Sequence, residues 1–84
     1  MFIVGKAVKN HEYLYKKSST ILCKSRKQAT SLANFLNFNN ETAVGQWKLK
    51  SNEVWWVYEI DKYDTPPTYK LKTTKGKIAV VSNN

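Results

Sequence analysis

The sequence predicts an α+β fold, in which a mainly antiparallel sheet carries one helix on one face, in the order ββαββ followed by a C-terminal hairpin. Three observations predict this fold. One segment has helical periodicity and a helix-start signal, several segments alternate between apolar and polar residues, and short turn motifs separate them. With 84 residues and no linker long enough to separate two domains, the chain is expected to form a single domain over residues 1–84.

The N-terminal part of the chain predicts strands. Residues 2–9 are rich in β-branched and apolar side chains, and a turn at Asn10 follows them. Residues 12–16 and 20–23 also have strand character, with a polar stretch between them. The pattern leaves open whether these two segments form one long bent strand or two short ones.

The single predicted helix covers about residues 26–38. Ser25 is a good N-cap, and Gln28 three residues later completes a capping-box pattern. Asparagines at 37, 39 and 40 mark the end, because Asn tolerates the conformation that terminates helices. The apolar stripe has i, i+3, i+4, i+7 spacing and consists of Ala29, Leu32, Ala33 and Leu36.

The second half of the chain predicts two hairpins. Residues 45–50 and 53–60 alternate around a turn, and the second of these runs is the strongest strand signal in the sequence. Pro66 and Pro67 then predict a loop. Residues 69–73 and 78–81 form the C-terminal hairpin around the turn at Lys75 and Gly76.

The charge balance predicts an anionic partner. Fourteen Lys and Arg residues outnumber six Asp and Glu residues, which gives a formal net charge of +8. Every basic residue except Arg26 is a lysine. Lysines suit phosphate backbones, whereas the arginine fork suits guanine edges, so we expect no base-by-base reading of a duplex. The alternative is a lysine-rich surface that serves solubility alone.

The sequence offers few groups for catalysis. Cys23 is the only cysteine and His11 the only histidine, so neither an internal disulfide nor a metal site with four such ligands can form. Its three glycines are isolated, so the chain has no glycine-rich phosphate loop. We therefore expect a non-enzymatic protein without a cofactor. The single thiol favours a cytoplasmic location, and no apolar stretch approaches the ~20 residues that span a membrane.

The alternation of residues 53–60 yields a hypothesis about binding. Trp55 and Trp56 must point to opposite faces of the sheet. If Trp56 enters the core, Trp55 lies on the uncovered face, where its indole could stack a base while neighbouring lysines neutralise phosphates. The lysines predicted to share that face are Lys48, Lys50, Lys70 and Lys72. The alternative is that Trp55 only packs, either against the core beneath the proline loop or in a homo-oligomer interface.

Two further regions are candidate anion sites. Lys24, Arg26 and Lys27 surround the predicted helix start, whose free N–H groups favour anions. The C-terminal hairpin is the other region, because residues 65–84 contain four lysines and no acidic residue.

In composition, the whole chain resembles small accessory proteins of T-even-type bacteriophages. It is short, rich in Lys, poor in Arg and contains eight Asn. Its size and charge are similar to those of phage inhibitors of a ToxIN-type toxin ribonuclease, which also bind RNA. The resemblance implies an inhibitor of a host nuclease, toxin or ribonucleoprotein that acts in the host cytoplasm. No motif carries it, so it assigns no role to any residue.

The expected function is therefore non-catalytic binding of RNA or single-stranded nucleic acid. The alternative is a pure protein–protein inhibitor, whose basic face docks on an acidic host protein without nucleic acid.

Overall fold

In a computed structural model that describes residues 1–62 and 66–83, the described residues form five strands, one α-helix and two short 3-10 helices. The elements are β1 (Phe2–Val8), β2 (His11–Cys23), α1 (Arg26–Phe38), the 3-10 helices Asn40–Thr42 and Gly45–Trp47, β3 (Glu53–Glu59), β4 (Tyr69–Thr74) and β5 (Lys77–Ser82). The predicted α+β fold is confirmed.

The five strands form one sheet in the order β3-β1-β2-β4-β5. All neighbours are antiparallel except β2 and β4, which run parallel. The parallel ladder is short and pairs Ile21 with Tyr69 and Leu22 with Lys70. The sheet therefore consists of a three-stranded part, β3-β1-β2, to which the β4–β5 hairpin is joined.

Strand β2 settles the question left open by the sequence, because it is one strand of 13 residues. Its pairing with β1 is irregular, since Gly5 lies opposite Thr20 whereas Ala7 lies opposite Tyr15. Between these two pairs, one residue of β1, Lys6, lies opposite four residues of β2, 16–19. The polar stretch between residues 15 and 20 forms this irregularity and bends the strand without ending it.

Helix α1 begins and ends where the sequence predicts. The Gln28 N–H donates to Ser25 Oγ at 3.1 Å, and the Lys24 N–H donates to Gln28 Oε1 at 2.7 Å. At the other end the Asn39 N–H donates to the Phe35 carbonyl at 3.0 Å. The Ser25 half of the predicted capping box is therefore present, whereas the Gln28 side chain accepts from the residue before the N-cap instead of from the Ser25 N–H.

The sequence leaves open which tryptophan enters the core, and the structure has the reverse of the arrangement that the binding hypothesis assumes. Trp55 is 1% exposed and lies in the core beneath α1, whereas Trp56 is 47% exposed on the other face. The reason is the small size of Ala29 and Ala33, which are buried against the same cluster and leave room for the larger indole. The Trp55 Nε1–H has no hydrogen-bond partner among the described residues.

The predicted strand at residues 45–50 is also wrong, and so is its hairpin with residues 53–60. The backbone there forms a 3-10 helix and an irregular segment whose carbonyl groups accept hydrogen bonds from side chains. Lys6 Nζ donates to Gln46 O at 2.6 Å and to Lys48 O at 3.3 Å. Asn40 pairs with both backbone groups of Leu49, at 2.7 and 3.2 Å. These side-chain contacts replace the backbone hydrogen bonds that a neighbouring strand would make with residues 45–50.

The outer edge of β3 is closed by a side chain of the helix. Asn37 Oδ1 accepts from the Trp55 N–H at 2.7 Å, and Asn37 Nδ2 donates to the Trp55 carbonyl at 2.8 Å. The carboxamide thus makes the two bonds that a neighbouring strand would make. The exposed edge of this strand is blocked at its centre, next to the buried indole.

On the face opposite α1, Gly5 allows two tyrosines to cover β1. The rings of Tyr15 and Tyr58 lie 4.6 Å apart, and a Cβ atom at Gly5 would lie 2.9 Å from Tyr15 Cβ. The same atom would lie 3.3 Å from Tyr58 Cε2. Glycine is therefore required here by close approach rather than by backbone conformation.

We expect Gly5→Ala to lower the free energy of unfolding by about 1–3 kcal/mol, since the added methyl group overpacks this contact. The measurement is urea unfolding followed by tryptophan fluorescence. Tyr15→Gly removes the Cβ that the methyl group would meet, so the penalty for Gly5→Ala should be smaller in that background. Equal penalties in both backgrounds would contradict the packing explanation.

Candidate nucleic-acid interface

The face of the sheet opposite α1 carries the exposed residues of the candidate interface. We call it the open face and define it by Trp56 on β3, Lys70 and Lys72 on β4, and Lys77 on β5. Alternation assigns them: Trp56 is next to buried Trp55, and both β4 lysines flank Leu71, which packs on the helix-side core.

The lysines of the open face carry uncompensated charge. Lys70, Lys72 and Lys77 are exposed, and Lys75 adds a further exposed ammonium group in the turn between β4 and β5. None of the four makes an ion pair or side-chain hydrogen bond with a residue in the described ranges 1–62 and 66–83. A local excess of positive charge therefore lies on this hairpin.

Aromatic side chains occupy the other half of the open face. Trp56 is nearly half exposed, whereas Tyr58 packs on Tyr15 and donates its hydroxyl proton to the Glu12 carbonyl. Burial, with a smaller contribution from the Glu12 charge, raises the pKa of Tyr58 to about 12. Tyr58 is consequently a neutral structural group at ordinary pH, and Trp56 is the aromatic side chain of β3 that presents its ring to solvent.

The structure separates the predicted sheet-face residues into two groups. Lys70 and Lys72 share the open face as expected. Trp55 is buried, so its predicted position beside them is wrong, because a ring in the core cannot stack on a ligand. Lys48 and Lys50 also lie elsewhere: Lys48 Nζ donates to the Asn40 carbonyl at 2.9 Å, and the Lys50 N–H donates to Glu53 Oε1 at 2.8 Å. They lie outside the sheet because residues 45–50 form no strand.

The three basic residues at the start of α1 lie at the surface, as the sequence suggests. Lys24, Arg26 and Lys27 are all exposed. Arg26 Nη2 lies 3.2 Å from Glu59 Oε2, and its guanidinium lies 5.1 Å from the centre of the Phe2 ring. One of the three charges is therefore already paired, and Lys24 and Lys27 contribute most of the positive charge there.

A partly buried ionic cluster, which the sequence does not predict, lies between β1 and residues 45–50; Lys6 and Glu53 are buried, whereas Lys16 is exposed. Lys16 Nζ lies 2.6 Å from Glu53 Oε2, and Lys6 Nζ lies 5.2 Å from the centre of the Trp55 ring. Burial lowers the pKa of Lys6. Burial alone would raise the pKa of Glu53, but hydrogen bonds from Lys16 and the Lys50 N–H outweigh it and hold the pKa below its ordinary value.

The fold does not bring His11 and Cys23 together as a Cys–His nucleophilic pair would require. His11 pairs with Val8 at one end of β1, and Cys23 pairs with Phe2 at the other end. These positions are six residue steps apart along β1, which corresponds to about 20 Å. Cys23 is buried, and burial raises the pKa of its thiol to about 11. Within the described part of the chain, no three His, Cys, Asp or Glu side chains are grouped as metal ligands.

A groove separates α1 from the β4–β5 hairpin on the helix side of the sheet. It has a volume of about 580 Å³ and is mainly apolar. Its apolar walls are formed by Leu32, Phe35, Leu36, Leu71, Ile78 and Val80. The hairpin thus has one lysine-bearing face and one apolar face.

Comparisons with known proteins give this chain neither a family nor a function. The chain matches no protein-family model, no curated protein and no solved structure. In the described ranges, no helix has both the length and the apolar character needed to cross a membrane.

We expect Glu53→Gln to destabilise the protein at pH 7 by about 1–3 kcal/mol, because it removes a charge-assisted hydrogen bond. Since the pKa of Glu53 is lowered by folding, its contribution is present above the ordinary value of 4.5 and is lost as the pH falls through the folded value. The difference from wild type should therefore shrink in acid. Urea unfolding at several pH values measures it.

Glu59→Gln is the matched control for this experiment, because Glu59 pairs with Arg26 at the surface. Surface ion pairs contribute little, so this variant should stay within about 1 kcal/mol of wild type at every pH. If both variants gave the same pH profile, the ionic cluster would have no special role in stability.

Proposed function

We propose that this chain is a non-catalytic binding protein that holds RNA or another single-stranded nucleic acid on the open face of its sheet. The observation that carries the proposal is the combination of uncompensated lysines and an exposed indole on one face. Lys70, Lys72 and Lys77 supply the charge, and Trp56 supplies the ring. Lysines neutralise phosphates, and aromatic rings stack on unpaired bases.

The dimensions of the sheet support one ligand that reaches both halves of the face. Strand β3, with Trp56, and strand β4, with Lys70 and Lys72, are separated by β1 and β2. Three strand spacings amount to about 14 Å, which a single strand of several nucleotides can cross. A duplex keeps its bases stacked inside, so it would engage the lysines without the indole.

The helix-start lysine Lys24 adjoins this surface. The parallel pairing of Leu22 with Lys70 directs the end of β2 toward Lys72, two residues further along β4. Lys24 follows immediately after β2 and is exposed. The predicted anion site at the helix start and the lysines of β4 can therefore contact successive phosphates of one ligand.

The proposal includes the inhibitory role that the resemblance to phage accessory proteins implies. A chain that covers single-stranded RNA would withhold it from a host nuclease, toxin or ribonucleoprotein without any chemistry of its own. It would do so in the cytoplasm, where such RNA is found.

We expect a fluorescein-labelled 15-nucleotide oligouridine to bind the protein, with an affinity that falls as salt rises from 50 to 200 mM. Lys70→Gln with Lys72→Gln should weaken binding and make the slope of log K against log salt shallower by about 1.4, since each phosphate contact on a single strand contributes about 0.7. Fluorescence anisotropy measures both quantities.

Trp56→Ala should weaken binding of the same oligonucleotide about 5- to 150-fold, which corresponds to the loss of one stacked base. Its salt dependence should stay that of wild type, because no charge is removed. A 15-base-pair duplex should be insensitive to this substitution.

The matched control is Lys9→Gln with Lys62→Gln, which removes the same charge from two exposed lysines off the β4–β5 hairpin. If this pair weakened binding as much as the β4 pair, the lysines would act only through net charge. Absent or salt-insensitive RNA binding would overturn the proposal. Binding of polyglutamate without binding of oligouridine would favour the pure protein–protein inhibitor instead.

A further inference from the structure

Three lysines of the β4–β5 hairpin lie in one row on the open face. Alternation along β4 gives Lys70 and Lys72 the same face, and they lie about 7 Å apart along the strand. Lys77 on β5 pairs with Thr74, two residues beyond Lys72. It is therefore a diagonal neighbour of Lys72 on the same face, about 7–8 Å away. The row runs from the junction with β2 toward the tip of the hairpin.

Lys75 continues this row into the turn. Lys75 and Gly76 form the two-residue turn between β4 and β5, and their φ angles are 50° and 78°. Turns of this kind favour Asn or Asp before glycine, because most other side chains are strained in the left-handed region. Asn10, in the turn between β1 and β2, follows this preference at a φ of 70°. At residue 75, in contrast, an exposed ammonium group stands on an unfavourable backbone.

We call lysines 70, 72, 77 and 75 the lysine row, and it is accessible along its length. The ladder pairs between β2 and β4 end at Lys70, so the rest of the hairpin projects beyond the three-stranded part. Ala79 lies opposite Lys72 and is small and exposed, so the surface beside the middle of the row is low. The four lysines are exposed, and none has an ion-pair partner among residues 1–62 and 66–83.

The spacing of the lysine row indicates an anion with a similar repeat. An extended strand of nucleic acid carries one phosphate per nucleotide, at intervals of roughly 6–7 Å. Each ammonium group of the row can therefore meet a phosphate of its own. In a duplex each backbone winds around the helix axis, so a row that follows one hairpin would meet only part of it.

We propose that the lysine row binds successive phosphates of one extended strand, which lies lengthwise on the β4–β5 hairpin and ends its contacts at Lys75. This inference rests on the proposed function and adds to it the path of the ligand. It specifies the ligand as an unpaired stretch of about four or more nucleotides, held on the hairpin by its backbone rather than by its bases.

The first test moves one charge to the other face of the hairpin and keeps the net charge at +8. In Lys72→Gln with Thr73→Lys, the new lysine takes an exposed position on the helix side of β4. We expect this variant to bind labelled 15-nucleotide oligouridine about 5- to 8-fold more weakly than wild type at 50–100 mM salt, which is the contribution of one phosphate contact. Lys72→Gln alone should lose a similar amount. Lys77→Gln with Ile78→Lys repeats the transposition on β5.

The second test separates binding from stability at residue 75. Lys75→Asn should raise the urea midpoint of unfolding, because Asn tolerates the left-handed backbone, and should weaken oligouridine binding about 5- to 8-fold. Lys75→Gln should weaken binding equally without raising the midpoint. Lys9→Gln is the matched control, because Lys9 is exposed and lies outside the hairpin, and its affinity should stay within about twofold of wild type.

Several outcomes would overturn the proposal. If both transposed variants bound oligouridine as tightly as wild type, the lysines would act through net charge alone, and the proposed function would stand without the lysine row. Unchanged affinity in Lys75→Asn and Lys75→Gln would place the hairpin tip outside the site. A 15-base-pair duplex that bound as tightly and was equally sensitive to transposition would assign the row to paired nucleic acid. Absence of oligouridine binding in the wild-type chain would overturn the proposed function together with this inference.

Discussion

The burial of Trp55 between α1 and the sheet determines where the helix lies. An indole is too large to fit beneath bulky helix residues, and Ala29 and Ala33 provide the low surface that accommodates it. Asn37 then fixes the same helix to the backbone of Trp55 through two hydrogen bonds. The helix is thereby held over β3 and β1, at one side of the sheet.

Because the helix lies off centre, described residues cover the β4–β5 hairpin on that side only in part, and Trp47 packs on Tyr69 at the start of β4. In a two-layer fold the sheet residues that face the helix are apolar, and this holds for Leu71, Ile78 and Val80. Leu71 and Val80 pack at the edge of the core, whereas Ile78 is 62% exposed. The opposite face of the same hairpin carries lysines. One pair of strands therefore presents two chemically different surfaces.

Much of this architecture can be predicted from the sequence, because local patterns determine it. The capping box at Ser25 and the apolar stripe of α1 specify the helix with its observed bounds. Alternation identifies β3, β4 and β5, and it correctly groups Lys70 with Lys72. It cannot decide whether Trp55 or Trp56 meets the helix, since both registers satisfy the pattern equally well.

The remaining features depend on contacts between distant parts of the chain. Trp47 and Leu49 alternate with polar residues because both pack against the core, yet their segment lacks a strand partner. Its hydrogen bonds come from Lys6 and Asn40, which no local motif reveals. The groove cannot be predicted from the sequence either. Phe35 and Ile78 are large apolar residues of the kind found in cores, and they are exposed only because of where the helix lies.

The short parallel ladder between β2 and β4 is a weakly paired junction in the sheet. Among the described residues, two ladder pairs join β4 to β2, Ile21–Tyr69 and Leu22–Lys70. The Thr68 N–H donates to Thr20 Oγ1 beside them. The β4–β5 hairpin is stabilised within itself by six antiparallel pairs. We therefore expect the hairpin to open locally while β1, β2, β3 and α1 stay folded, so that its amide protons exchange at a lower free energy of opening than that of global unfolding. A ligand that contacts both Trp56 and the lysines of β4 would bridge this junction and slow that exchange.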